Sequence, residues 1–192
     1  MRLQPIPPEA LSATQRPLYD DMKAGVSAKY DAFTTMREDG ALLGPWNAWL
    51  HQPEVGVAFW MVTKAMTAFR ILPDPVRQIV ILAVGARFKA AYEIYAHTSV
   101  ARARHEISDA RLATLAAGQR PSDLSEPEAA AYDVALALLG GGPLPEPTYR
   151  HALALFGQQG VNEIIYLVGH YCLVSTTLNG FAIDVPTSET GS

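Results

Sequence analysis

Apolar residues recur at intervals of three and four along most of the chain, which is the spacing of one face of an α-helix. Proline and glycine separate these periodic segments and mark the joints between helices. No segment alternates apolar and polar residues as a half-buried strand would. The pattern therefore predicts an all-α fold. Helices are expected at about residues 8–29, 53–69, 74–86, 90–105, 108–118, 129–139, 147–159 and 161–180.

Several helix boundaries are indicated by residues that suit one end of a helix. Proline has no backbone donor and fits the first turn, so Pro53 and the pair Asp74-Pro75 should open helices, with Asp74 as an N-cap. Ser125 and Glu128 have the spacing of a capping box. The Gly-Gly-Gly-Pro run at residues 140–143 should end the helix that follows the box. The intervening segment 31–46, rich in Gly and Thr, is predicted to be a loop.

Length and charge limit the class of protein. A chain of 192 residues can bury one core without disulfides or a structural metal, so we expect one domain over residues 1–185 and a flexible tail at 186–192. The net charge is −4, and no stretch combines clustered Lys and Arg with aromatics. A nucleic-acid partner is therefore not expected.

The cysteine count and the apolar segments indicate the compartment. Cys172 is the only cysteine, so the chain can form neither an internal disulfide nor a thiolate zinc site, which suits a reducing cytoplasm. The N-terminus lacks the apolar stretch of a signal peptide. The most apolar segment, 161–183, contains polar residues such as Glu163 and His170 that are costly in lipid. We expect a cytoplasmic protein without a membrane partner.

Glu93 and His97 are the residues most indicative of chemistry. They are four residues apart, so they share one face of a helix and can contact each other. A carboxylate beside an imidazole can fix its tautomer and prepare it for proton transfer near neutral pH. By spacing alone, the same pair could be a surface ion pair or a satisfied core histidine.

The surrounding residues resemble the superfamily of carboxymuconolactone decarboxylase and alkylhydroperoxidase D. The resemblance rests on Leu72-Pro73, the Arg77-Gln78 pair with its apolar run, the Tyr92-Glu93-x-x-x-His97 helix, and Ala101 four residues after the histidine. It implies a single-domain helical bundle of about seven or eight helices that assembles into a homotrimer or homohexamer. It also implies an enzyme acting on a small molecule.

The peroxidase branch of that superfamily carries Cys-x-x-Cys-x-x-x-His. Aligning its histidine with His97 puts Ala90 and Glu93 at the two cysteine positions. A thiol peroxidase needs a thiolate to attack the peroxide and a second thiol to resolve the sulfenic acid. The sequence therefore argues against peroxidase activity, and Cys172 is interpreted as a small core hydrophobe.

The decarboxylase branch is the better match, and it implies acid–base chemistry on a small carboxylate or lactone. His97 would be the proton donor, and Glu93 would orient it or handle a proton itself. Gln78 stands where the family commonly has glutamate, and a neutral amide can bind a ligand but cannot shuttle a proton. Further candidate substrate contacts are Arg87, Trp46, Asn47, His51 and Tyr92.

Each of those further candidates also has a structural interpretation. Arg87 could cap a helix end, and the segment with Trp46, Asn47 and His51 could be packing rather than a pocket wall. His170 is predicted to be a core histidine bonded to one partner. Glu93 and His97 could supply two metal ligands and His51 or His170 a third, but no HExxH motif or second clustered pair accompanies them, so no metal is expected. No cofactor is expected either, because no Gly-rich phosphate loop is present. The alternatives to a lyase are an alkylhydroperoxidase-like reductase and a non-catalytic ligand-binding scaffold.

Overall fold

The computed structural model describes residues 1–104 and 107–186. This part of the chain contains eight α-helices and one short 3₁₀-helix, and its only β-pairing is an isolated bridge between Met36 and Leu42. The predicted all-α class with seven or eight helices is therefore confirmed. The helices are α1 (Arg16–Lys29), α2 (Gly44–Leu50), α3 (Pro53–Met66), α4 (Asp74–Phe88), α5 (Ala91–Ala103), α6 (Asp109–Ala116), α7 (Glu126–Leu139) and α8 (Glu146–Gly180).

The N-terminal third differs from the prediction at two places. The first predicted helix is divided into a 3₁₀-helix at Pro8–Ala10 and α1, because a turn intervenes in which Gln15 Oε1 accepts from the Ser12 backbone at 2.9 Å. The predicted loop 31–46 ends early, because Gly44 begins α2 with Pro45 in its first turn. The irregular part of the predicted loop is therefore the segment between α1 and α2.

The helix caps agree with the sequence except at α4. Glu128 accepts from both the backbone nitrogen and the hydroxyl of Ser125 at 2.8 Å, so the predicted capping box at α7 forms. Asp74 was wrongly predicted as an N-cap. Pro73 holds the cap position in an extended conformation, and Asp74 is the first helical residue. Its carboxylate still lies near the positive end of the α4 dipole.

The long helix α8 is interrupted at Gly157. The backbone there has φ 64° and ψ 178°, a conformation that residues with a side chain rarely adopt. The two C-terminal helices predicted from the sequence are therefore the two parts of α8, which meet at Gly157 instead of near Gly160. The break turns the second part of α8 across α4 and α5.

Two hydrophobic clusters make up the core. The larger one surrounds α4, whose Ile79, Val80 and Leu82 are completely buried against α7 and α8. The smaller one joins α1 and α2 to α5 and the end of α8 through residues such as Met22 and Leu50. Complete burial of one such side chain stabilises the fold by about 1.5–3 kcal/mol. The two clusters meet along α5 and the second part of α8.

A buried carboxylate fixes the connection between α3 and α4. Glu163 on α8 accepts hydrogen bonds from the backbone nitrogens of Arg70, Ile71 and Leu72 at 3.0, 3.1 and 3.0 Å. Glu163 is 6% exposed, so the three backbone hydrogen bonds replace those that the carboxylate would otherwise make to water. The connection is therefore attached to α8 by main-chain contacts.

Two predicted features extend beyond the described residues. They are His105, the predicted end of the helix 90–105, and the predicted tail at 186–192 apart from Pro186. Among the residues that are described, no helix combines the length and the hydropathy that crossing a bilayer requires.

Replacing Glu163 should destabilise the fold strongly. A Glu163→Gln variant keeps one acceptor oxygen but turns amide hydrogens toward backbone donors, so we expect a loss of about 2–4 kcal/mol in the free energy of unfolding. Urea denaturation followed by circular dichroism measures this loss. The matched control is Glu146→Gln on the same helix, an exposed partner of Arg150, for which the loss should stay below about 0.5 kcal/mol. Equal stability of the two variants would contradict the assigned role of Glu163.

Candidate functional site

The turn between α4 and α5 brings the predicted site residues together. Lys89 ends α4 in the left-handed conformation, with φ 53°, and Ala90 is completely buried at the start of α5. The chain reverses there, so α5 lies beside α4. Gln78 on α4 consequently faces His97 on α5.

His97 lies between an amide and a carboxylate. Its Nδ1 is 2.8 Å from Gln78 Oε1, and its Nε2 is 3.1 Å from Glu93 Oε1. Gln78 and Glu93 are buried, and the His97 side chain is 12% exposed. The sequence prediction that Glu93 and His97 share one helical face therefore agrees with these distances, and Gln78 completes the group.

The hydrogen-bonding capacities of these groups define where protons lie. The Gln78 oxygen can only accept, so His97 Nδ1 carries a hydrogen. Nε2 then faces a carboxylate oxygen, and two bare acceptors 3.1 Å apart would repel. Nε2 and Glu93 Oε1 are therefore close enough to exchange a proton, and either atom can carry it. The contact is not aligned as a hydrogen bond, because Glu93 Oε1 has no hydrogen-bond partner within the described residues.

The second part of α8 adds His170 and Tyr171 to the site. The Tyr171 ring lies between the two imidazoles, with ring centroids 5.1 Å from His97 and 5.2 Å from His170. Thr63 on α3 gives its hydroxyl hydrogen to the Phe59 carbonyl at 2.9 Å. Its oxygen can therefore accept from His170 Nε2, at 3.4 Å, which leaves His170 Nδ1 without a hydrogen.

Burial lowers the pKa of His170 below its ordinary value. The nearby Glu93 carboxylate opposes this effect, and His97 adds to it. His170 is therefore a neutral imidazole at neutral pH. The prediction of a core histidine with one partner describes its hydrogen bonding, but it misses the position of His170 at a cleft.

The site opens into a cleft of about 640 Å³, a volume suited to a small molecule. Gln78, His97, His170 and Tyr171 lie along its wall. Its charged lining is predominantly cationic: Lys29, Arg70, Arg77 and Arg104 against Asp31 and Asp74. The cleft is therefore electrostatically suited to an anion.

Two predicted contacts, Trp46 and Tyr92, belong to an aromatic cluster behind the cleft. Trp46 stacks on Phe33 with an interplanar angle of 17°, and its ring centroid is 5.6 Å from Tyr30, which lines the cleft. Tyr92 is buried against Gly44, where an added Cβ would come within 2.6 Å of the phenol ring. Burial raises the pKa of Tyr92 far above its ordinary value. These two side chains position the cleft wall without lining it.

Asn47 and His51 contact the N-terminal segment. The Asn47 side chain accepts from the Ile6 backbone at 3.0 Å and donates to the Gln4 carbonyl at 3.2 Å. The ring of the exposed His51 is 3.0 Å from the same carbonyl oxygen. The structure therefore places both residues apart from the Glu93–His97 pair.

Arg87 lies in a separate depression of about 280 Å³, together with Cys172. Arg87 is at the opposite end of α4 from the cleft, and burial raises the pKa of the Cys172 thiol. A thiol with a raised pKa is less often in the reactive thiolate form. Neither residue lines the cleft that contains His97.

Several cleft residues were not predicted from the sequence. Arg77 directly precedes Gln78, and Tyr171 directly follows His170, so proximity to residues already singled out was the available signal. Tyr30 carried no such signal, because it reaches the cleft only after α1 has packed on α3. Within residues 1–104 and 107–186, no group of three or more His, Cys, Asp or Glu side chains could hold a metal ion.

Known structures share this fold at low sequence identity. A peroxidase-related protein from Ralstonia eutropha with an alkylhydroperoxidase AhpD core is 15% identical, with a TM-score of 0.77 over 96% of this chain and 92% of that one. The debrominase Bmp8, as a cysteine-to-alanine variant in complex with 2,3,4-tribromopyrrole, is 15% identical, with a TM-score of 0.70 over 97% and 92%. The predicted AhpD-like fold is therefore confirmed. No protein-family model and no curated protein matches the sequence.

His170 should remain neutral at a pH at which an ordinary histidine is protonated. NMR titration of its ring should give a midpoint below 6.5, and a midpoint at or above that value would contradict the assignment. The unfolded chain takes up this proton first as the pH falls below about 6.5, so the fold loses stability there. Replacement by His170→Gln should remove that part of the acid sensitivity, as measured by urea denaturation at several pH values.

Proposed function

We propose that this chain, which has the AhpD-like fold, is a cofactor-independent enzyme that performs acid–base chemistry on a small carboxylate or lactone. The finer proposal is a decarboxylase of the carboxymuconolactone type. The observation that carries it is the contact of His97 with both Glu93 and Gln78 at the wall of a cationic cleft. An anionic substrate there would lie within reach of an imidazole and a carboxyl group that can pass a proton between them.

The proposed reaction has two steps. The carbon–carbon bond to a substrate carboxylate breaks, carbon dioxide leaves, and the electron pair stays on the substrate carbon, delocalised as a dienolate-like anion. The anionic carbon then takes the proton carried by His97 Nε2, whose contact with Glu93 is not aligned as a hydrogen bond, and Glu93 and solvent water return a proton to the ring afterwards. Gln78 cannot shuttle a proton. It accepts from His97 Nδ1 and so holds the ring with Nε2 toward Glu93.

A reductase of the alkylhydroperoxidase kind has less support. Its chemistry requires a reactive thiol at the site, whereas Ala90 and Glu93 occupy the positions of the two family cysteines. Cys172 is in the other depression, where its thiol has a raised pKa. A non-catalytic ligand-binding scaffold is favoured by the single observation that Gln78 replaces a group able to carry a proton.

Activity measurements on variants separate these functions. If 4-carboxymuconolactone or a related acid is the substrate, wild-type protein should release carbon dioxide, and His97→Ala should slow release about 10²–10⁴-fold by removing the proton donor. Glu93→Gln should also lose activity, since an amide cannot store the proton.

The control variant is Cys172→Ser, which should keep full decarboxylase activity. Turnover of an organic hydroperoxide that is lost in Cys172→Ser would support the reductase instead. Ligand binding without turnover, unchanged in His97→Ala, would support the scaffold.

A homotrimer or homohexamer is proposed for the assembly, as the resemblance to the superfamily implies. The outer face of α3 supports it, because Val57 and Met61, one turn apart, are 49% and 54% exposed, and Val62 is 43% exposed. Exposed apolar side chains in such a row are typical of an interface.

The mass in solution tests the assembly. Light scattering after size exclusion should give three or six times 20.8 kDa for wild-type protein. Met61→Glu should lower the mass, because a carboxylate cannot be buried unpaired at an interface. A Glu54→Gln variant on the same helix is the control. A monomeric wild-type protein would contradict the proposal.

A further inference from the structure

Arg77 is the cleft cation that has a buried guanidinium nitrogen without a hydrogen-bond partner among the described residues. Its side chain is partly buried and forms no ion pair with a carboxylate in the described part of the chain. Nη2 donates to the Met66 carbonyl at 3.2 Å, while Nη1 is buried and has no hydrogen-bond partner among the described residues. Buried guanidinium groups are normally paired with an anion, because desolvating the charge is costly.

Two phenol groups line the cleft together with Arg77. Tyr30 comes from the end of α1 and Tyr171 from α8, and neither hydroxyl makes a hydrogen bond within the described residues. Burial raises the pKa of both tyrosines, the Glu93 carboxylate adds to the rise, and the Arg77 charge opposes it. Both phenols therefore stay protonated and able to donate, and they line the same cleft as Arg77.

We propose that Arg77, Tyr30 and Tyr171 form a subsite for a carboxylate attached to a flat apolar body, deepening the proposed function by naming how its substrate is held. A guanidinium presents parallel N–H groups that match the two oxygens of a carboxylate, and phenol hydroxyls are suitable further donors. The aromatic and aliphatic cleft residues Phe69 and Ile81 provide apolar surface for the body of the ligand. Arg77, Gln78 and His97 line the same cleft, so the bound anion shares that cleft with the residues proposed to transfer the proton.

The subsite restricts which carboxylate can react. An arginine stabilises a carboxylate as an anion and so opposes its conversion into neutral carbon dioxide. The group bound at Arg77 must therefore be one that the reaction retains. A decarboxylated substrate would then carry a second carboxylate, which is the one that leaves.

Binding of benzoate and benzamide tests the subsite without requiring turnover. The two probes have the same shape and differ in charge, so chemical-shift titration of labelled protein should show benzoate binding at least about tenfold more tightly than benzamide. Arg77→Met should weaken benzoate binding at least about tenfold and leave benzamide unaffected. Tyr171→Phe, which removes one hydroxyl, should weaken benzoate binding about three- to tenfold.

The matched control is Arg87→Met, the same substitution on the same helix at the separate depression, which should change benzoate affinity less than about twofold. Circular dichroism checks that each variant is folded. The Arg77→Lys variant keeps the positive charge but loses the planar guanidinium, so it should bind benzoate with an affinity between those of wild type and Arg77→Met. The inference is overturned if wild-type protein does not bind benzoate up to about 50 mM, if the two probes bind equally, or if Arg77→Met matches wild type.

The same titration distinguishes this inference from the proposed function. Benzoate binding should persist in His97→Ala, because the ring of His97 is not part of the carboxylate subsite. If wild-type protein binds benzoate through Arg77 but releases no carbon dioxide from any carboxymuconolactone-type acid, the subsite stands and the decarboxylase proposal fails. If wild-type protein releases carbon dioxide and Arg77→Met releases it at the same rate, the decarboxylase proposal stands and the subsite fails.

Discussion

A buried carboxylate that contacts an imidazole one helical turn away is the constraint on which the site depends. Glu93 is 4% exposed, and an unpaired carboxylate at that depth would cost several kcal/mol. Contact with His97 offsets this cost only if α4 approaches closely enough for Gln78 to hold the ring from its other side. The two helices are close at this point, since a Cβ built on Gly85 of α4 would be in ordinary van der Waals contact with the Glu93 side chain at 3.4 Å. Packing of α4 on α5 and the protonation of the pair are therefore coupled.

The position of the site between two hydrophobic clusters explains its mixed composition. The cluster around α4 supplies Gln78 and Arg77, while the smaller cluster, through α1, supplies Tyr30. His170 and Tyr171 reach the same cleft because α8 changes direction at Gly157 and then crosses α4 and α5. Residues far apart in sequence meet where neither cluster fills the space alone.

The spacing of apolar residues and the positions of proline, glycine and capping residues were sufficient to predict the helices but not the complete site. The all-α class, the capping box at Ser125 and the contact of Glu93 with His97 depend on spacings of three or four residues, which a sequence displays directly. The left-handed Lys89 and the turn before α1 have weaker local signals, so helix ends shifted by several residues.

Long-range packing explains why the remaining site residues could not be assigned. Arg87 and Arg77 are both arginines on α4, yet only Arg77 lines the cleft, because helix rotation and the position of α8 decide which side chain faces it. Trp46 and His51 lie in one segment, but one packs behind the cleft and the other contacts the N-terminal residues. Sequence proximity does not contain this information.

The three hydrogen bonds of Glu163 make the two sides of the cleft mechanically unequal. They join the α3–α4 connection to α8, so Arg70, His170 and Tyr171 are held on one connected side of the cleft. The opposite rim is the irregular segment after α1, attached near its start by Lys29 Nζ, 2.7 Å from Thr67 Oγ1. Changes in that rim could alter which molecules are admitted without disturbing proton transfer. Substrate selectivity could therefore change in evolution without a change in the residues that transfer the proton. For the same reason, the segment after α1 could be exchanged in engineered variants.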